Sequence, residues 1–153
     1  MIKYLILDVD GTMTDGKIYI GNDGEIMKAF NVKDGYGIHN ILTAEKIIPI
    51  VITGRSSKIV EQRCMELGIT NLYQGVSDKY SVLLNVTADF ANVAYIGDDV
   101  NDVECMKAIK NAGGLVGCPA DAVEAIVEIS DFVCKASGGN GAVREFIDWI
   151  VGQ

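Results

Sequence analysis

The chain has little proline, 2 residues in 153, one histidine and one tryptophan, and no apolar run long enough to cross a bilayer. With so little proline and no polar or low-complexity tract, there is no room for a linker, and one domain over 1–153 is expected. The lone histidine, His39, is read as a surface or pocket-rim residue of a helix rather than a catalyst. A basic surface is missing too: 13 Lys and Arg against 21 Asp and Glu leave a net charge of −8, which argues against nucleic acid or anionic membrane as a partner. Cys64, Cys105, Cys118 and Cys134 form no CxxC pair and no metal-site spacing, as expected for reduced, mostly buried thiols of a cytoplasmic protein. Met1 to Leu7 runs straight into a strand and carries no small-residue cleavage site, which again points to a soluble, cytoplasmic protein.

What is present is a regular alternation of short Ile/Val-rich runs with helix-period segments. Strands are expected at Tyr4–Asp8, Ile48–Thr53, Asn71–Gln74, Val93–Gly97, Gly114–Gly117 and Phe132–Cys134. Helices are expected at Gly37–Lys46, Lys58–Leu67, Lys79–Asp89, Asp102–Asn111, Ala120–Glu128 and Ala142–Val151. Runs that are apolar throughout are strands buried on both faces, so the expected fold is α/β: a three-layer, Rossmann-like parallel sheet with helices on both faces. On the last helix, Phe146, Trp149 and Ile150 share one face and should pack on the sheet. One stretch departs from the alternation. Residues 17–30, with Gly21-Asn22-Asp23-Gly24 in their middle, read as a β-hairpin flap projecting from the carboxyl edge of the sheet, where open parallel sheets bind ligands.

The strongest chemical signal is Asp8-Val9-Asp10-Gly11-Thr12 at the end of the first strand. Side chains two apart in an extended chain share a face, so both carboxylates can enter one pocket, where mutual repulsion keeps one protonated near neutrality. An ionised nucleophile beside a proton donor is what phosphoester cleavage needs. A calcium loop would place Gly sixth and Glu twelfth, where this chain has Met13 and Tyr19. A second acidic cluster, Gly97-Asp98-Asp99-Val100-Asn101-Asp102, ends another buried strand, so acids from two strand ends can converge on a hard cation such as Mg²⁺. Helix capping is the rival account of Asp99 and Asp102 taken singly, but not of the cluster as a whole. Thr53, in Thr53-Gly54-Arg55-Ser56, and Lys79, at a helix start, complete the set as candidate phosphate binders.

In its order (D-x-D-G-T, then hydroxyl, then Lys, then G-D-D-x-x-D) the chain resembles the haloacid dehalogenase superfamily of phosphatases. The resemblance implies Asp8 as nucleophile and Asp10 as general acid and then base, with Thr53 and Lys79 binding phosphate. It also implies Mg²⁺ held by the Asp8 carboxylate, the Asp10 main-chain carbonyl and Asp98, with Asp99 and Asp102 supporting the metal site from behind. The intervals between motifs hold single helices and strands only, so no cap domain is expected, and a neighbouring subunit is the natural lid.

Within that superfamily, the segments Asp8–Gly16, Phe30–Ile38, Thr53–Ser56 and Gly138–Glu145 resemble the capless 3-deoxy-D-manno-octulosonate 8-phosphate phosphatases and the related nine-carbon sialic-acid-type 9-phosphate phosphatases. The resemblance implies a homotetramer and a keto-sugar-acid phosphate as substrate. It implies a sugar pocket lined by Lys33, Asp34, Gly35, Tyr36, Gly37, Gly54, Arg55, Ser56 and Asn101, with Arg63 a further contact or else a solvated helix residue. A guanidinium there would suit a substrate carboxylate. Asn140 departs from the pattern, standing where the family usually has arginine. The alternatives are a phosphatase for a nine-carbon acid or another small phosphomonoester, and a non-catalytic assembly module like those fused to sugar-acid cytidylyltransferases. The intact catalytic set argues against the module. A receiver domain places its acidic pair before the phosphorylated Asp, an order absent here.

Overall fold

The structure, a computed structural model, describes all residues from Met1 to Gln153. Six parallel strands form one sheet: β1 (Tyr4–Leu7), β4 (Ile48–Ile52), β5 (Asn71–Tyr73), β6 (Val93–Ile96), β7 (Leu115–Cys118) and β8 (Phe132–Val133). Their order is β5-β4-β1-β6-β7-β8, with β1 paired in parallel to both β4 and β6. The chain builds outward from β1 to one edge and then crosses over to build toward the other. The carboxyl ends of β4, β1 and β6 therefore meet at a topological switch point, where a crevice opens between divergent connections.

Side chains along the central strands alternate between two cores, as the pleat requires. Leu5, Leu7, Val51, Ala94 and Ile96 point into one face, packed against Ile38, Leu42, Val60, Val143, Phe146 and Ile147. Ile6, Ile50, Ile52, Val93 and Tyr95 point into the other, packed against Leu83, Cys105, Met106, Ile109 and Ile126. The first face carries α1 (Val32–Tyr36), a π-helical turn at Gly37–Ile41, α2 (Leu42–Ala44), α3 (Lys58–Glu66) and α7 (Ala142–Val151). The second carries α4 (Lys79–Val86), α5 (Val103–Asn111) and α6 (Glu124–Ile129). This is the three-layer arrangement expected, with every expected strand within a residue or so of its place. All four cysteines are buried and free. Phe146 and Ile150 are buried, and Trp149 stacks on Phe132 with ring centroids 5.0 Å apart. No helix is long and apolar enough to cross a membrane.

The hairpin is present as β2 (Tyr19–Gly21) and β3 (Gly24–Met27), an antiparallel pair in which Gly21 faces Gly24 across Asn22 and Asp23. Helix boundaries differ from expectation where caps intervene. The first helix begins at Val32 rather than Gly37 because the Asn31 side chain accepts from the N–H groups of Lys33 (2.8 Å) and Asp34 (3.2 Å). The segment Lys33–Gly37 is thus helical. The fourth expected helix is preceded by a 3₁₀ turn over Val100–Asp102, closed by a capping box between Asp99 and Asp102.

Candidate active site

Asp8 directly follows β1, Thr53 follows β4, and Asp98 follows β6 after Gly97, so three neighbouring strands deliver their first polar residues to one spot. Close approach there depends on glycine. Gly11 has φ +90°, and a Cβ at that position would stand 1.9 Å from an Asp98 carboxylate oxygen. Asp8, Asp10, Thr53, Gly54, Arg55, Asp99 and Asn101 line an open cleft of about 170 Å³ with no apolar lining residue.

Beneath this cleft lies a buried charge network. Lys79, at the start of α4, donates to Asp8 Oδ1 and to Asp102 Oδ1, both at 2.8 Å. Burial pulls its pKa down, but the charges of Asp8 and Asp102 outweigh that pull and raise the Lys79 pKa. Asp102 is fully buried, and both its oxygens are committed. Oδ1 accepts from Tyr95 Oη at 2.6 Å as well as from Lys79, while Oδ2 accepts from the backbone N–H groups of Asp98 (3.2 Å) and Asp99 (3.4 Å). Burial, together with the Asp102 charge, raises the Tyr95 pKa well above normal and keeps it a neutral donor.

Asp8 and Asp98 are the pair that the fold presses together. Carboxylate oxygens of Asp8, Asp98 and Asp102 lie within 4.8 Å of one another. Burial first, then the Asp102 charge, raises the Asp8 pKa well above normal against the pull of Lys79. Burial likewise lifts Asp98 to about 6, with Asp102 and Asp99 adding repulsion. Thr12 Oγ1 donates to Asp98 Oδ1 at 3.3 Å and steadies it. A buried and a half-buried carboxylate whose charges repel, beside an open polar cleft, are the donor set of a hard divalent cation. Asp8 and Asp98 fit that role, whereas Asp102 has no lone pair to spare and serves to hold Lys79 and the 98–99 backbone in place.

This pairing differs from the sequence expectation, in which Asp8 and Asp10 crowd each other. The strand ends at Leu7, so the two-residue alternation stops before Asp10. Asp10 instead meets a cation from the hairpin, Lys28, whose Nζ lies 2.6 Å from Asp10 Oδ1 and 2.8 Å from Glu25 Oε1. Glu25 Oε2 in turn accepts from Ser57 Oγ at 2.6 Å. Sequence reasoning missed Lys28, Glu25 and Ser57, together with Tyr95.

The structure brings Arg55, Gly54 and Asn101 to the cleft, but not Lys33, Asp34, Gly35, Tyr36, Gly37, Ser56 or Arg63. The helical turn rotates Asp34 into the protein, where its Oδ1 accepts from the Arg144 N–H at 2.9 Å and caps α7; burial lifts its pKa to about 6 against the pull of the Arg144 and Gly141 N–H groups. Arg63 lies over the Phe30 ring (5.6 Å) and pairs with Glu66 (3.1 Å), and Tyr36 stacks beneath Arg144. Lys33 is exposed on α1, and Gly35 and Gly37 are buried against Arg63 and Ile147. Asn140 is exposed and bonds Ser137 Oγ at 3.2 Å. His39 is exposed and its Nδ1 lies 3.1 Å from the Leu67 carbonyl.

No family model matches the chain. Individual proteins do. The 3-deoxy-D-manno-octulosonate 8-phosphate phosphatase of Escherichia coli K12 is 47% identical over 154 residues, covering 98% of this chain and 79% of the relative. This chain belongs to the 3-deoxy-D-manno-octulosonate 8-phosphate phosphatase family. Among solved structures, the family's Moraxella catarrhalis member, crystallised with magnesium ion, phosphate ion and the sugar acid, is 37% identical with a TM-score of 0.90, covering 99% of this chain and 86% of that one. The Yersinia pestis enzyme is 45% identical with a TM-score of 0.86, over 98% and 80% of the two chains. A cobalt-bound member from Haemophilus influenzae is 35% identical with a TM-score of 0.88, over 99% and 88%.

Proposed function

We propose that this chain is a Mg²⁺-dependent phosphatase that hydrolyses 3-deoxy-D-manno-octulosonate 8-phosphate through a phosphoaspartate on Asp8. The observation that carries the reading is the Asp8–Asp98 carboxylate pair, pressed together at the floor of a polar cleft with Lys79 2.8 Å from the nucleophile. When bound by the Asp8 and Asp98 side chains and the Asp10 carbonyl, Mg²⁺ supplies positive charge for the phosphoryl oxygens. Lys79, pinned by Asp102, holds Asp8 in the orientation for attack and adds a fixed charge that needs no rearrangement as negative charge grows. Thr53 closes β4 at the cleft wall, where its hydroxyl and the following backbone N–H groups bind phosphate. Asp10 protonates the departing C8 oxygen, and the Asp8 oxygen–phosphorus bond forms as the ester bond breaks. Asp10 then takes a proton from water, which attacks phosphorus and frees Asp8 and orthophosphate.

Arg55, at the cleft mouth, is the guanidinium placed to receive the substrate carboxylate. Ile18, Ile20, Ile26 and Met27 of the hairpin and Val32 beside it are exposed, an apolar surface suited to a second copy of the chain and to the homotetramer expected from the family. The test is Asp8→Asn, a near-isostere without a nucleophilic carboxylate. Orthophosphate release from 3-deoxy-D-manno-octulosonate 8-phosphate should fall by at least about 10⁴-fold, with the circular dichroism spectrum unchanged. Turnover near the wild-type rate would overturn the assignment.

A further inference from the structure

We propose that Lys28, carried by the hairpin, is the positioning residue for Asp10, and that the chain Asp10–Lys28–Glu25–Ser57 aims the acid–base carboxylate at the leaving oxygen. The proposal rests on the assignment of Asp10 as acid and base. Lys28 is anomalous in its setting. The preceding residues Ile26 and Met27 are 64% and 50% exposed, yet the Lys28 side chain is 2% exposed. An ammonium withdrawn from water while its apolar neighbours stay in it is held by specific partners. Those partners are Asp10 Oδ1 at 2.6 Å and Glu25 Oε1 at 2.8 Å.

Glu25 is held in its turn by Ser57 Oγ at 2.6 Å. Ser57 is fixed by its own bonds: its N–H donates to Gln74 at 2.8 Å, and its Oγ accepts from the Val60 N–H at the start of α3. The chain therefore ties the nucleophile loop, the hairpin and the loop after β4 around the cleft. No protein group bonds Asp10 Oδ2, which leaves that oxygen to carry the proton. Asp10 lies in a turn and its side chain has two free torsions, so an anchor on Oδ1 decides where Oδ2 points.

A positioning role for the acid predicts a dependence on the leaving group that a structural role does not. An alkoxide leaving group requires a proton, whereas 4-nitrophenolate departs without one. In Lys28→Met, the first-turnover rate of phosphoryl transfer from 3-deoxy-D-manno-octulosonate 8-phosphate should fall about 100-fold, and that from 4-nitrophenyl phosphate no more than about fivefold. Glu25→Gln, which frees the far side of Lys28 while keeping its shape, should show the same bias at about five- to tenfold. KM for both substrates should move little, because neither residue is offered as a binding group. Equal losses on the two substrates, or none, would overturn the proposal; if Lys28→Met fails to fold, the Glu25→Gln bias decides. Asp10→Asn separates the two layers. If it turns over the sugar phosphate normally, the acid–base reading falls. If it shows the bias and the Lys28 and Glu25 variants do not, the positioning inference alone falls.

Discussion

Magnesium binding should release protons, and its affinity should climb steeply between pH 5 and 7. Asp8 and Asp98 can serve as ligands only when ionised, and the fold raises both. With Asp98 titrating at about 6, its ionised fraction falls from about nine-tenths at pH 7 to about one-tenth at pH 5. That alone weakens the metal about tenfold across the interval, and the raised Asp8 makes the dependence steeper. Isothermal titration calorimetry at pH 5, 6 and 7 gives the affinities. Repeating it in two buffers of different ionisation enthalpy counts the protons released. Asp98→Asn should bind weakly and keep only the part of the pH dependence that Asp8 supplies. An affinity flat from pH 5 to 7 with no proton released would mean that protons do not compete with the cation for the two carboxylates, and the geometric reading of the metal site would fail.

Two more perturbations probe the surrounding frame. Gly11→Ala places a methyl 1.9 Å from the Asp98 carboxylate in a backbone of φ +90°; Mg²⁺ affinity should fall about 10- to 100-fold, with a further stability loss of about 1–2 kcal/mol in denaturant titrations. Asp34 is protonated more readily in the folded protein, at about 6 against an ordinary 3.8, so its contribution to stability declines as pH rises from about 4 through 6. The stability difference between Asp34→Asn and wild type should therefore change by about 2 kcal/mol in favour of the variant between pH 4.5 and 7.5; a constant difference in urea denaturation would refute the burial argument.

The sheet and the floor of the site were legible because each depends on a local rule. Apolar runs of four or five residues that stop abruptly at an acid or a hydroxyl mark a strand's carboxyl end, and Asp8, Thr53 and Asp98 all sit there. What lay outside the reach of spacing was pairing across the chain. Tyr95 reads as one more apolar residue of β6, although its hydroxyl is one of the bonds that fix Asp102. Glu25 and Lys28 read as the solvated side of a hairpin, and nothing local says that they fold back onto Asp10. The first helix was expected to open at Gly37, and nothing in the spacing places its start at Val32. The Asn31 cap and the π-helical turn at Gly37–Ile41 carry the helix through Gly35 and Gly37 and turn Asp34 inward to serve α7.

The loop before α7 backs the cleft from behind. A Cβ on Gly138 would stand 1.9 Å from the Gly11 carbonyl oxygen, and the Gly139 N–H donates to the Thr12 carbonyl at 3.1 Å. The loop that carries Asp8 is thus moulded against backbone from a distant part of the chain. Replacing either glycine would push on the loop that carries Asp8 without touching the cleft itself, so damage at this distant point of the chain should register as lost metal affinity before it registers as lost sheet.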